Sequence, residues 1–296
     1  MLRWQGVLPL GDQPFDGEAL LVFFGRHAVP GVEAYRDRLE DGLRQIHYAR
    51  TLRLPSGPAA LELCWSGGTL TATLHLGDLG DLDEGRRRLE RLCDLGRDVA
   101  RIEADLARDP QLAALVSASP GLRVPGTVEV HEHLIRTLLG QQISLAAAAN
   151  CGGKLAARFG EPFREPDRGL ETPAGRLTTL FPEPTALARA DPATLPMPAA
   201  RGRALVGVAE ALASGAVVLT PDSDPAETGN RLLALRGVGP WTADYVRMRG
   251  LGDPDVLLGS DLVIKRELAR RGTPDTSRWA PWRSYATMHL WRYWTG

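Results

Sequence analysis

The sequence LLALRGVGPWTADYVRMRGLGDPDVLLGSDLVIKRELARR, residues 232–271, predicts the architecture of the surrounding chain. Its glycines and prolines indicate two helices joined by a tight turn, followed by a loop and a third helix. The turn is Gly237-Val238-Gly239-Pro240, in which glycine ends the first helix and proline opens the second. The second helix is predicted to end near Gly250.

The turn formed by Gly237, Val238 and Gly239 favours contact with an anion such as a phosphate. Glycine lets the backbone approach a ligand closely, and the start of the second helix presents unpaired amides and the positive end of a helix dipole. An ordinary corner between two helices has the same pattern, so the turn by itself leaves both interpretations open.

Three features together resemble one enzyme superfamily. They are L-x-G-V-G-P-W-T-A at 235–243, the acidic residue Asp261 downstream of it, and P-W-R-S-Y-A-x-x-H-L-W at 281–291. This set resembles the helix-hairpin-helix and Gly/Pro-rich loop with catalytic aspartate of base-excision DNA glycosylases, and in particular the AlkA-type 3-methyladenine DNA glycosylase II branch. The resemblance covers most of the chain. It implies an α+β fold, with an N-terminal antiparallel-sheet domain followed by an all-α helix-hairpin-helix glycosylase domain.

The chain is accordingly divided into two predicted parts. Residues 1–103 form an α+β domain, and residues 104–296 form a helical region of two subdomains, with the helix-hairpin-helix at about 225–250 and the catalytic loop at 251–261. In the first part, alternating apolar residues predict three strands, and helical spacing predicts one amphipathic helix and one long charged helix. The strands are Gln45–Leu54, Ala59–Trp65 and Thr69–Leu76, and the helices are Val32–Gly42 and Leu82–Ala107.

In the second part, the pattern is helical with one interruption. The proline-rich segment Pro162–Pro184 lacks periodicity and is predicted to be a surface loop. Asp224 is expected to cap the first helix of the hairpin. The other predicted helices are Val128–Leu139, Ala146–Phe159, Thr185–Ala193 and Arg201–Gly215.

Composition is typical of an intracellular globular protein. The chain has 296 residues with 44% hydrophobic content, and its three widely separated cysteines do not suggest a disulfide framework. No apolar run approaches a membrane span, so a cytoplasmic protein is expected. The resemblance implies a nucleoid-associated, bacterial-type monomer. The net charge is −1, but residues 231–296 hold eleven basic and six acidic residues. This local excess suits double-stranded DNA as the partner, although a solvated surface would also explain it.

Asp261 is the predicted catalytic residue, because the resemblance places the family's catalytic aspartate at this position. The surrounding residues 258–265 (LGSDLVIK) match the motif. The alternative is an N-cap for the helix that follows, and the two roles are compatible because a helix N-terminus favours an ionised carboxylate. Asp253 and Asp255, in the preceding loop, are the weaker candidates.

Aromatic residues are predicted to hold the damaged base after it leaves the duplex. By resemblance, Trp241, Tyr245, Trp291 and, in a looser alignment, Phe23 line the base pocket. A cationic methylated purine would stack on these electron-rich rings by a cation–π interaction worth about 0.5–2 kcal/mol. Five of the seven tryptophans fall in the last 56 residues. Three of them are predicted to be structural: Trp279, Trp282 and Trp294.

Gln141 and Gln142 are predicted to contact DNA together with Gly237, Val238 and Gly239. Gln142 occupies the position at which the best-known pattern of the family has leucine, and it is the expected wedge that fills the hole left by the flipped base. A helix cap or a pair of surface glutamines is the alternative.

The sequence disfavours strand cleavage, an iron–sulfur cluster and a metal site. Strand-cleaving relatives use a lysine two positions after the second glycine of the turn, and this chain has Trp241 there, which predicts a monofunctional enzyme. No cysteine follows Cys151, so no iron–sulfur cluster is expected. His131 and His133 face different directions on a helix and predict no metal site. No cofactor is expected to be required. Whether a monovalent cation binds to the hairpin carbonyls is left open by the sequence.

The predicted function is a monofunctional DNA glycosylase that flips out and excises alkylated, cationic purines such as 3-methyladenine in base excision repair. One alternative is a non-catalytic helix-hairpin-helix DNA-binding protein, against which Asp261 and the aromatic residues argue. Another is a member of the same superfamily that acts on oxidised or deaminated bases, which the sequence does not decide.

Overall fold

The computed structural model describes residues 1–163 and 169–292. Its N-terminal part is built on five antiparallel strands in the order β1-β5-β4-β3-β2. The three strands predicted from alternation are confirmed, whereas β1 has no counterpart among the predicted elements and pairs with β5 at the sheet edge. The bounds are β1 Leu2–Val7, β2 Glu33–Glu40, β3 Leu43–Leu54, β4 Gly57–Ser66 and β5 Thr69–Leu76.

The predicted amphipathic helix Val32–Gly42 is wrong, because this segment forms strand β2. Asp41 and Gly42 both have a positive φ, 49° and 78°, which is the conformation of the two-residue turn that joins antiparallel strands. The turn pairs Glu40 with Leu43 and sets the register of β2 against β3. Pairing with the sheet outweighs the helical spacing of the segment. The Asp-Gly dipeptide is the local signal that indicates a turn between two strands.

Helix α1 (Gly17–Arg26) lies on the sheet. Asp16 caps its N-terminus by accepting a hydrogen bond from Ala19 N at 2.8 Å. Gly25 packs so closely on the sheet that an added Cβ would lie 2.4 Å from the Tyr35 ring, so only glycine allows this approach. The last turn of α1 carries Phe23, and His27 follows as the C-terminal cap residue.

The predicted single helix Leu82–Ala107 is also wrong, because it is broken into α2 (Leu82–Leu92) and α3 (Val99–Leu106). Asp94 has a φ of +54°, a left-handed conformation that no helix can continue through. Asp98 then caps α3 by accepting a hydrogen bond from the amide of Arg101 at 3.1 Å. The intervening sequence Asp-Leu-Gly-Arg-Asp contains residues that favour a turn, although the apolar spacing around it is that of a helix.

The rest of the chain is mostly helical, as predicted. The helix predicted at Thr185–Ala193 shrinks to a short one followed by a separate 3-10 turn. None of the helices among the described residues combines the length and apolar character that crossing a membrane would need. The bounds are α4 Pro110–Ala118, α5 Val130–Gly140, α6 Leu145–Phe159, α7 Pro184–Leu187, α8 Ala199–Ala213, α9 Pro225–Leu233, α10 Pro240–Tyr245, α11 Leu262–Arg270 and α12 Arg283–Arg292.

The prediction of a surface loop at Pro162–Pro184 is wrong for the residues that the structure describes, which exclude 164–168. Two short strands, β6 (Leu170–Thr172) and β7 (Gly175–Leu177), form a hairpin there. Phe163 and the hairpin pack against Ala49 of β3, on the face of the sheet opposite Tyr48. The segment therefore contributes to the core, and this hairpin also interrupts the otherwise helical second part.

Two helices joined by the glycine turn stand where the sequence predicts the hairpin. Asp224 caps α9 by accepting from Glu227 N at 2.7 Å, and α10 continues as a π-helical turn at Val246–Gly250. Gly237 has a φ of +89°, and a Cβ there would lie 2.7 Å from the Cβ of Ala204. Both conditions require glycine at this corner.

Candidate active site

Asp261 is the N-cap residue of α11 and also the acceptor of two indole hydrogen bonds. Its Oδ1 accepts from the amides of Val263 at 2.9 Å and Ile264 at 3.1 Å, and from Trp291 Nε1 at 3.2 Å. Its Oδ2 accepts from Trp241 Nε1 at 3.0 Å. The residue is half-buried, so the donors fix one orientation of a carboxylate that is still partly accessible.

Trp241, Tyr245 and Trp291 form one aromatic cluster beside Asp261. The ring centroids of Trp241 and Tyr245 are 4.9 Å apart, and those of Tyr245 and Trp291 are 6.0 Å apart in an edge-to-face arrangement. The spacing of four residues puts the first two rings on one face of the hairpin helix, as predicted. Helix α12 supplies the third ring.

A cavity of about 440 Å³ lies against this cluster. Its wall includes Phe23, Trp241, Tyr245 and Trp291, so the structure brings all the predicted pocket residues together. The volume is in the range of small-molecule sites. Asp261 is bonded to two residues of the wall, the indoles of Trp241 and Trp291.

Phe23 lies in the cavity wall, but its ring already has two stacking partners. The imidazole of His27 is 4.2 Å away and nearly parallel, and the guanidinium of Arg249 is 4.7 Å from the ring centroid. Arg249 also lies 5.3 Å from the Tyr245 centroid and donates to its hydroxyl at 2.8 Å. Arg249 is anchored by the Pro125 carbonyl at 2.6 Å, so a fixed cation supports both rings.

A buried ionic network forms another part of the cavity wall. Arg136 pairs with Glu132 at 2.9 Å and with Glu33 at 2.8 Å, and Arg50 pairs with Glu132 at 2.6 Å. Burial alone would raise the pKa of Glu33, but the guanidinium groups of Arg136 and Arg50 lower it to about 2. Both guanidinium charges are thus compensated by carboxylates.

Two histidines of the wall are neutral at physiological pH. Burial, assisted by the nearby Arg249, lowers the pKa of His133 well below its usual value, and its ring lies 5.0 Å from that of Tyr245. Burial and Arg249 also lower the pKa of His27 to about 4. The Nδ1 of His27 lies 2.7 Å from the carbonyl oxygen of Phe23.

The glycine turn of the hairpin presents two backbone amides. Among the described residues, no acceptor is recorded for the amides of Gly237 and Gly239, and a Cβ at Gly239 would meet nothing within 4 Å. Val238 differs, because its side chain is buried and its amide donates to the Leu235 carbonyl at 3.1 Å. Val238 therefore anchors the turn in the core, and phosphate binding by the two glycine amides stays a prediction.

Gln141 and Gln142 have different environments. Gln141 Nε2 donates to the Gly237 carbonyl at 3.0 Å and to Thr242 Oγ1 at 3.2 Å, which ties the end of α5 to the hairpin. Gln142 is exposed with a φ of +61°, and no hydrogen-bond partner is recorded for its side chain among the residues described. Gln141 is a positioning residue in this arrangement, and the wedge role of Gln142 stays a prediction.

Asp253 and Asp255 are engaged in the loop before α11. Asp255 forms two hydrogen bonds of 2.7 Å with the guanidinium of Arg283, which lower the pKa of its carboxyl. Asp253 Oδ2 accepts from Arg247 at 2.8 Å. Asp261 accepts hydrogen bonds from two aromatic residues of the cavity wall, whereas Asp253 and Asp255 are held by arginines, which favours Asp261 over both.

Two of the tryptophans predicted to be structural are held in packing contacts. Trp279 is buried, and its Nε1 donates to Asp109 at 2.8 Å. Trp282 Nε1 donates to Asp105 at 3.1 Å. Trp294 lies outside the described residues.

Within the described part of the chain, one group of side chains has the composition of a metal site. Ligand atoms of Glu129, His131 and Glu183 lie within 4.8 Å of one another. Both glutamates also pair with arginines, Arg88 and Arg53, at 2.9 Å in each case. The negative charge that a cation would need is therefore already compensated.

Sequence reasoning did not assign four residues to the cavity wall: His27, His133, Arg136 and Arg249. Arg249 follows Tyr245 by four positions on one helix, so the spacing offered a signal for it. The others come from α1 and α5, and no local pattern brings them to one cavity.

Comparison with known proteins gives the family. Residues 11–129 match the AlkA N-terminal domain. The chain is 40% identical over 286 residues to the probable bifunctional transcriptional activator/DNA repair enzyme AlkA of Mycobacterium tuberculosis, an alignment that covers 94% of this chain and 55% of that protein. The chain thus spans about half the length of that relative.

Two further relatives are matched over nearly their whole length. The 3-methyladenine DNA glycosylase structure from Archaeoglobus fulgidus shares the fold, with a TM-score of 0.74 and 19% identity over 98% of this chain and 97% of that one. DNA-3-methyladenine glycosylase 2 of Escherichia coli is 31% identical over 98% of this chain and 95% of that protein. The chain therefore belongs to the AlkA-type DNA-3-methyladenine glycosylase 2 family.

Proposed function

We propose that this protein is a DNA glycosylase that excises alkylated, cationic purines such as 3-methyladenine from double-stranded DNA. The observation that carries the proposal is the carboxylate of Asp261, which is held by the indoles of Trp241 and Trp291 beside an aromatic cavity. A protein that only binds DNA needs neither a fixed carboxylate nor an adjoining aromatic cavity.

The chemistry that this arrangement supports is hydrolysis of the N-glycosidic bond. A purine methylated at a ring nitrogen is positively charged, so it leaves with the bonding electron pair as a neutral base and needs no general acid. The sugar develops positive charge at C1′, which the ionised Asp261 stabilises. Water then adds to C1′, and its proton passes to the carboxylate or to solvent.

The hairpin turn is the part of the protein that binds the DNA backbone, whether or not the duplex carries a damaged base. The amides of Gly237 and Gly239 have no acceptor among the residues that the structure describes, and the helix that follows adds the positive end of its dipole. Gln142 is the wedge in this scheme, because it is exposed at the tip of the loop after α5. A monovalent cation on the hairpin carbonyls would have to share them with Gln141, which already donates to Gly237 O.

We also propose that the enzyme has no strand-cleaving activity. Trp241 stands where strand-cleaving relatives carry their lysine, and its indole is committed to Asp261. The product should be an intact abasic strand, which breaks only under alkali or heat. Trapping of a covalent enzyme–DNA complex with borohydride would contradict this, and Lys265 on α11 would be the first amine to test.

The experiment that tests the function is base release under single-turnover conditions. Duplexes containing methylated purines, uracil or 8-oxoguanine are incubated with excess protein, and free bases are separated by chromatography. We expect release of methylated purines and much slower release of the neutral bases. Release of uracil or 8-oxoguanine at comparable rates would favour the alternative lesions, and release of none would favour a DNA-binding protein.

A further inference from the structure

The imidazole of His27 presents a hydrogen-bonding atom of known type at the wall of the aromatic cavity. His27 lies in the cavity wall and stacks on Phe23 at 4.2 Å. Its Nδ1 is 2.7 Å from the carbonyl oxygen of Phe23, and a carbonyl can only accept. Nδ1 therefore carries the hydrogen, and in the neutral ring Nε2 is left with a lone pair.

That lone pair has no recorded donor among the described residues. Two charged groups of the wall are already engaged: Arg249 donates to Pro125 O and to the Tyr245 hydroxyl, and Arg136 is paired with Glu33. The ring also stays uncharged. Burial and then Arg249 lower the pKa of His27 to about 4, against the upward pull of the hydrogen bond to Phe23 and of Glu33. Nε2 is thus an acceptor that faces no competing partner.

We propose that His27 Nε2 accepts a hydrogen bond from the exocyclic amino group of the flipped purine and so selects amino-bearing, cationic bases. This inference rests on the proposed glycosylase function and names the substrate class within it. The amino group of a cationic purine shares the positive charge of the ring, which makes it a strong donor. A base without an amino group would cover Nε2 without donating to it, and an acceptor that is buried without a donor costs binding free energy.

The test compares two cationic bases that differ by one amino group, 7-methyladenine and 7-methylpurine, each at one position of the same duplex. The single-turnover rate of each is divided by its spontaneous depurination rate, which removes the difference in leaving-group ability. For the unchanged protein we expect a normalised preference of about tenfold to a hundredfold for 7-methyladenine. Equal normalised rates would overturn the role of His27 but leave the proposed function intact.

Two substitutions locate the effect. His27→Phe keeps a ring to stack on Phe23 but removes the acceptor, and should reduce the preference to within about threefold. His27→Arg keeps a donor for the Phe23 carbonyl but offers only donors to the cavity, and should abolish the preference even if His27→Phe does not fold.

The matched control is His131→Phe, which changes a histidine outside the cavity and should keep the full preference. A retained preference in a folded His27 variant would overturn the assignment. Release of neither base by the unchanged protein would instead overturn the proposed function, and the role of His27 with it.

Discussion

Replacing Asp261 with asparagine separates the two roles of this side chain, because asparagine can still cap α11 but carries no negative charge. In the native site Oδ1 accepts three hydrogen bonds, from two amides and Trp291, while Oδ2 accepts one from Trp241. The asparagine carbonyl can replace Oδ1 and keep the cap. Its amide nitrogen, however, would point hydrogens at the indole N–H of Trp241. We therefore expect a loss of unfolding free energy of about 1–3 kcal/mol, together with a stable fold.

The effect on catalysis should be much larger than the effect on folding. Loss of the negative charge removes the stabilisation of the oxocarbenium ion, and such preorganised electrostatic contributions are worth about 2.7–4 kcal/mol. We expect Asp261→Asn to lower single-turnover excision of methylated purines about a hundredfold to a thousandfold. Affinity for undamaged duplex should be unchanged or slightly higher, because a carboxylate near phosphates is removed.

Two controls make this result interpretable. Asp275→Asn alters another cap aspartate, one that accepts from Ser277 outside the cavity, and should leave excision unchanged. Adding Trp241→Phe to Asp261→Asn removes the opposed N–H group, so it should restore stability but not excision. Excision by Asp261→Asn within a few-fold of the unchanged protein would refute the catalytic role and reduce Asp261 to a helix cap.

Three further changes test other parts of the site. Gly239→Asp has room in the fold, so it should weaken binding to damaged and undamaged duplexes alike, and unchanged affinity would remove the hairpin from the interface. Trp291→Phe keeps a ring but loses the bond to Asp261, so excision should fall about tenfold with unchanged affinity for undamaged DNA; equal losses of both would indicate a packing role. Burial raises the pKa of Asp94 to about 6, so its ionisation destabilises the fold as the pH rises from about 4 to above 6. Asp94→Asn should therefore raise the free energy of unfolding at pH 7.5 by at most about 3 kcal/mol, with no gain at pH 4; a loss at pH 7.5 would contradict this.

The hairpin and Asp261 were predictable because their signals are local. Gly237 and Gly239 mark the turn, and the spacing of four positions from Trp241 to Tyr245 defines a helix face. The strand β2 was not predicted, because its residues also fit a helical spacing and its pairing partner β3 decides the outcome. The hairpin of β6 and β7 was not predicted, because the prolines of its segment are typical of a surface loop. Its burial against Ala49 depends on the folded sheet, which no local pattern shows.

The polar groups of the cavity could not be read from the sequence. His27 follows α1, Arg136 lies on α5 and Arg249 lies beyond α10, and only the tertiary fold brings them to one wall. The neutral state of His27 depends equally on its surroundings, because burial and the charge of Arg249 set its pKa. Likewise, the two indole bonds to Asp261 join helices distant in sequence, so the aromatic residues emerge both as pocket lining and as supports of the carboxylate.

The central claim is that the Asp261 carboxylate stabilises positive charge at the sugar C1′. It is tested most directly by measuring the affinity for duplex DNA in which a cationic pyrrolidine replaces the sugar of one abasic nucleotide, since this ring mimics the oxocarbenium ion. Transition-state mimics bind about a hundredfold or more tighter than ground-state ligands. We expect the unchanged protein to prefer the pyrrolidine duplex over an uncharged abasic duplex by at least about a hundredfold, and Asp261→Asn to lose nearly all of that preference. Equal preference in the two proteins would contradict the claim.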